Sequence, residues 1–65
     1  MEKFIIWMNA NGRIDEPEET KFEYDIGETI TVNNTQMYKC INKKIVEGEL
    51  HQTFKEGIKI WKFNY

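Results

Sequence analysis

The sequence predicts an all-β protein, a small antiparallel barrel or sandwich of five to six strands with room for one short helical turn. Three observations predict it. Apolar and polar residues alternate with period two through most of the chain. Gly and Asn turn signals interrupt the alternation roughly every 8–12 residues, the spacing of small barrels and sandwiches. Helix-start residues cluster at one place only, around Pro17.

Each element follows from its residues. Phe4-Ile5-Ile6-Trp7-Met8 is apolar on both faces and reads as a central or doubly covered strand. Asn11-Gly12 accepts the positive φ of a tight hairpin turn, and Arg13-Ile14-Asp15 begins the return. Asp15-Glu16-Pro17-Glu18-Glu19 combines a capping residue, a first-turn proline and acids suited to a helix N-terminus. We read it as a polar loop with room for that one helical turn. Phe22, Tyr24 and Ile26 alternate with Glu23 and Asp25, which predicts a strand over 21–26.

Gly27 ends that strand. Ile30 and Val32 alternate with threonines, which suit an exposed strand face. Asn33-Asn34 is a second turn signal, and a strand over 35–42 follows. Segment 45–54 supports two readings. Val46, Leu50 and Phe54 would line one face of a helix. Leu50, Gln52 and Phe54 also alternate with His51 and Thr53, and Gly48 would cost a helix about 1 kcal/mol against Ala. The strand is the better reading. Glu56-Gly57 marks the last turn, before a final strand over 58–65.

The stretch Tyr24 to Tyr38, with Gly27-Glu28, Ile30 and Val32, resembles the rhythm of SH3-like barrels, and an OB-like barrel has a similar strand count. Such a rhythm implies fold and no function. Residues 1–65 are expected to form one domain. At this size a core seldom leaves more than about 3–5 kcal/mol of net stability. Nine aromatic residues raise the area that core can bury. Homodimerisation through the last strand, apolar on both faces, would add to it.

Composition narrows function mainly by exclusion. Ile, Asn and Lys make up 23 of 65 residues against seven for Ala, Arg, Gly and Pro, which points to an AT-rich genome such as that of a low-GC bacterium or a bacteriophage. The longest uncharged apolar run, Phe4–Met8, is too short to span a bilayer. Met1-Glu2-Lys3-Phe4 shows no leader pattern. A cytoplasmic protein is expected. One cysteine excludes an internal disulfide, and one cysteine with one histidine excludes a standard structural zinc site.

Catalysis is not expected. Cys40 and His51 would need a third orienting group, and none is evident. The four glycines are isolated, so no phosphate loop exists. The acids at 15–19 lack the spacing of a calcium loop, and no metal or cofactor is expected.

The charge is uneven. Residues 1–32 hold eight acids and three bases, whereas 33–65 hold six lysines and three acids. Two candidate surfaces result. Asp15, Glu16, Glu18 and Glu19 form an acidic loop suited to a basic partner. Lys59, Trp61, Lys62, Phe63 and Tyr65 interleave cations with aromatics, a pattern that binds another protein or single-stranded nucleic acid. Trp7 is a further candidate contact. The expectation is a non-enzymatic module of a phage or mobile element that binds and modulates, for instance inhibits, a host or phage protein. A nucleic-acid-binding barrel and a structural subunit of a larger assembly are the alternatives.

Overall fold

The computed structural model describes residues 1–32 and 36–57. Among these residues five strands form one sheet: β1 (Lys3–Met8), β2 (Glu18–Thr20), β3 (Thr29–Val32), β4 (Gln36–Val46) and β5 (Glu49–Glu56). The sheet curls into a half-barrel in the order β2-β1-β5-β4-β3. Three of the four pairings are antiparallel. The fourth joins β1 to β5 in parallel, because the chain completes β2, β3 and β4 before returning beside its first strand.

β1 sits between two strands, as its two apolar faces predict. Ile5 points into the concave face and is 6% exposed. A hairpin forms here, but its loop has three residues, Ala10–Gly12, closed by the Asn9 N–H bond to the Arg13 carbonyl; only Gly12, at φ +87°, takes the positive φ, and Asn11 does not. Asn9 braces it, its Oδ1 accepting the backbone N–H groups of Asn11 and Arg13. The return is brief: Met8 pairs with Ile14 in a single bridge, and Asp15 N–H donates to the Trp7 carbonyl.

Segment 15–26 departs from expectation. Glu18–Thr20 is extended, with no helical turn, and pairs with Lys3–Ile5. The free edge of β1 offers backbone partners, and that pairing outweighs the local helix-start signal. No strand forms over 21–26. Phe22 and Ile26 are 65% and 64% exposed, and only Tyr24 packs inward. The segment crosses the concave face, where the Gln52 side chain serves its backbone. Gln52 Oε1 accepts the Tyr24 N–H at 2.6 Å, and Nε2 donates to the carbonyls of Phe22 and Phe4.

The strand expected over 35–42 runs on to Val46 through a bulge at Ile41, where the register against β5 shifts by one. Segment 45–54 is strand on both sides of a tight turn at Glu47-Gly48. Both turn residues have positive φ, +50° and +81°, which matches the twist of the flanking strands. β5 alternates strictly: Leu50, Gln52 and Phe54 are buried between more exposed neighbours. Gly57 stays attached through its N–H to the Met37 carbonyl. The Asn33-Asn34 turn and the strand expected over 58–65 lie outside the described residues.

The core occupies the concave face. Phe54 is fully buried at its centre beside Cys40, with Trp7, Tyr24, Ile30 and Tyr38 packed around the cluster. Tyr24 meets Phe54 edge-on at 5.0 Å, and Trp7 meets Tyr38 edge-on at 4.9 Å. These are the geometries that aromatic quadrupoles favour.

Candidate functional site

The four acids of the 15–19 segment lie along one edge of the sheet. The 9–13 turn and the Asp15–Trp7 bond fix where the chain leaves the hairpin. β2 then runs back along β1, placing Glu18 opposite Ile5 and Glu19 opposite Phe4. Asp15, Glu16, Glu18 and Glu19 are all exposed along this edge of the sheet. Among the described residues, β2 has no strand on its outer side. A surface depression beside it is bordered by Glu19, Thr20, Lys21 and Phe22.

The rim is anchored from below. Glu18 Oε1 accepts the indole N–H of Trp7 at 3.0 Å. Trp7 therefore belongs to the core cluster and supports the rim. It is half-buried, not the exposed contact residue expected. Two of the acids that follow have partners. Glu23 pairs with Lys43 at 3.0 Å, an exposed contact worth at most about 1 kcal/mol. Glu28 Oε1 accepts the Asp25 N–H across the turn at Gly27.

Cys40 and His51 do not meet. Cys40 lies on the concave face opposite Phe54. His51 alternates to the outer face, where it touches Phe4 at 5.6 Å and its Nε2 lies 3.3 Å from Glu49 Oε1. The sheet separates the thiol from the imidazole. Among the described residues no three His, Cys, Asp or Glu side chains converge as a metal set. No helix among them is long and apolar enough to cross a membrane. Lys59, Trp61, Lys62, Phe63 and Tyr65, and with them the dimerisation strand, lie outside the described residues.

Burial pushes the Cys40 thiol above its ordinary value of 9.0, outweighing the opposing charge of Lys43. Burial, then the negative charges of Glu56 and Asp15, push Tyr38 above 10.0. Both groups are neutral in the fold. A group whose folded pKa is raised contributes stability that is whole below its unfolded pKa and is lost as pH climbs through the folded value. The urea midpoint should therefore hold from pH 7 to about 9 and fall above it. Cys40→Ala should move the onset of that fall upward. A midpoint level through about pH 11 would contradict the coupling.

Two features escaped the sequence reading. One is Gln52, a polar residue at an inward position between Leu50 and Phe54; that placement was the available signal of a buried hydrogen-bonding role. The other is the set of lysines on the outer face, hidden by the bulge. Comparison with protein families, with curated proteins and with solved structures finds no match.

Proposed function

We propose that this protein is a small non-enzymatic binding module whose acidic rim engages a basic surface on another protein. The observation that supports this most is the alignment of Asp15, Glu16, Glu18 and Glu19 on one exposed sheet edge. All four lie on the same edge of the sheet, with Glu18 turned to the concave side and Glu19 to the outer side. Two of them are anchored: the Trp7 indole holds the Glu18 side chain, and a backbone bond to Trp7 holds Asp15. Carboxylates gathered along one edge speed encounter with a basic partner and repel acidic ones. In the AT-rich phage or bacterial setting that the composition favours, the partner is a cytoplasmic host or phage protein whose activity the module modulates.

The test replaces charge while keeping shape. Asp15→Asn, Glu16→Gln, Glu18→Gln and Glu19→Gln together retain an acceptor for the Trp7 indole. Wild type and variant would be used as bait in lysate of a low-GC bacterium at two salt concentrations. A basic protein held by wild type at low salt, released at high salt and absent from the variant supports the reading. A partner held equally by both places the contact elsewhere and overturns it.

A further inference from the structure

The outer face of the sheet carries charge of the opposite sign. Lys39 and Lys55 face each other directly across the β4–β5 ladder, and both are exposed. Like charges in that position destabilise a sheet. Lys44, also exposed, is the register partner of His51 on the same face. Lys39 and Lys44 are five residues apart, so on a regular strand they would point to opposite faces. The bulge at Ile41 shifts the phase by one and turns Lys44 to the side of Lys39 and Lys55. None of the three forms an ion pair among the described residues.

An aromatic step lies alongside. Phe4 on β1 is the register partner of His51, and their rings meet edge-on at 5.6 Å. Both are half-buried, so part of each ring faces outward. From His51 to Lys55 the surface extends about 13 Å along β5. Asn42 and Thr53, mutual partners at its centre, add hydrogen-bonding groups. Glu49 stands at one end beside His51, and Glu19 at the β2 edge. Between Lys39, Lys44 and Lys55 the described register positions hold no acid.

We infer that this outer face binds single-stranded nucleic acid, with the three lysines on phosphates and the Phe4–His51 pair against a base. Charge complementarity carries the assignment: a polyanion relieves the Lys39–Lys55 repulsion, and the aromatic pair offers a base a stacking partner. The apolar side chains of β1 on this face are half-buried rather than projecting, which favours a strand laid across the sheet over insertion into a lipid surface. The site is separate from the acidic rim and stands or falls without it.

The experiment titrates labelled dT oligonucleotides into the full chain, following anisotropy at several salt concentrations. Wild type should bind with a salt slope of about −2, the value for about three phosphates on a single strand. Lys39→Gln/Lys44→Gln/Lys55→Gln should weaken binding at least tenfold and bring the slope toward zero, with an unchanged circular dichroism spectrum. Phe4→Leu should weaken binding about fivefold at unchanged slope. Lys43→Gln, on the concave face, should change nothing. The inference is overturned if wild type does not bind, if the triple variant binds like wild type, or if only Lys59→Gln/Lys62→Gln abolishes binding. Binding to vesicles containing phosphatidylserine but not to oligonucleotides would also overturn it. If the triple variant does not fold, Lys44→Gln alone decides: a slope reduced by about 0.7 supports the assignment, and an unchanged slope refutes it.

Discussion

Phe54→Ala is expected to leave the protein largely unfolded at about 25 °C. Phe54 is fully buried, and among the described residues it is the one ring that both Trp7 and Tyr24 touch, at 5.8 and 5.0 Å. Truncating a buried phenylalanine to alanine costs about 3–5 kcal/mol, from lost transfer energy and the cavity left behind. A domain of this size holds about the same amount in total. The cavity would not collapse easily. Its walls come from β1, β4 and the segment crossing the concave face, all tied to β5 through backbone or Gln52 bonds. Phe54→Leu should cost far less and stay folded, with a lowered urea midpoint. Circular dichroism with urea titration reads both variants. A folded alanine variant with a midpoint near wild type would show that the core is not centred on this ring.

How legible the fold was depends on which physical quantity each signal reports. The apolar run Phe4–Met8, the presence of a turn around Asn11-Gly12 and the alternating segments at 29–32 and from Gln36 onward were read from sequence because side-chain pattern and backbone pairing agree there. At 21–26 they do not. Phe22, Tyr24 and Ile26 have the spacing of a strand, but spacing says which side chains could face inward. It does not say that a neighbouring backbone waits to pair. Here the pairing goes to a side chain, Gln52, thirty residues away from Phe22. β2 is the converse case: its acids spell a helix start, and the vacant edge of β1 decides otherwise.

The candidate surfaces divide in the same way. The acidic rim was visible because its four acids lie within five consecutive residues, which keeps them on one sheet edge; that the strand turns Glu18 and Glu19 to opposite faces was not. The outer lysines were not, because Lys39, Lys44 and Lys55 share a face only after the bulge changes the phase of β4 and the Glu47-Gly48 turn folds β5 back on it. Neither event has a strong local signature. Glutamate is an unusual first residue for a turn with two positive φ angles, and nothing around Ile41 differs from an ordinary strand.

Gln52→Leu should destabilise the protein by about 2 kcal/mol even though it makes the core more apolar. The two effects oppose each other, and their sizes decide. A buried leucine contributes about 1.5–3 kcal/mol from its apolar surface. Against that, the Tyr24 N–H and the Phe22 carbonyl lose their partner, at about 1–3 kcal/mol each, and the Phe4 carbonyl loses a longer one. Removal of the Gln52 amide also loses the packing it already supplied, so the leucine gain is only partial. The alternative open to the variant is to release residues 21–26 into water, which satisfies their backbone but strips Tyr24 from Phe54. Either route lowers the urea midpoint. Amide exchange separates them: the Tyr24 amide, held at 2.6 Å in wild type, should be protected there and should exchange rapidly in the variant if the segment lifts away. Gln52→Glu adds a sign. An ionised carboxylate would face two carbonyl oxygens, whereas the protonated acid donates to one of them. The folded pKa of the introduced carboxyl group would rise above its unfolded value. That variant should therefore gain stability as pH falls through the carboxylate range, opposite to the usual acid response. A leucine variant as stable as wild type, with the Tyr24 amide still protected, would show that something other than this glutamine holds the crossing segment on the sheet.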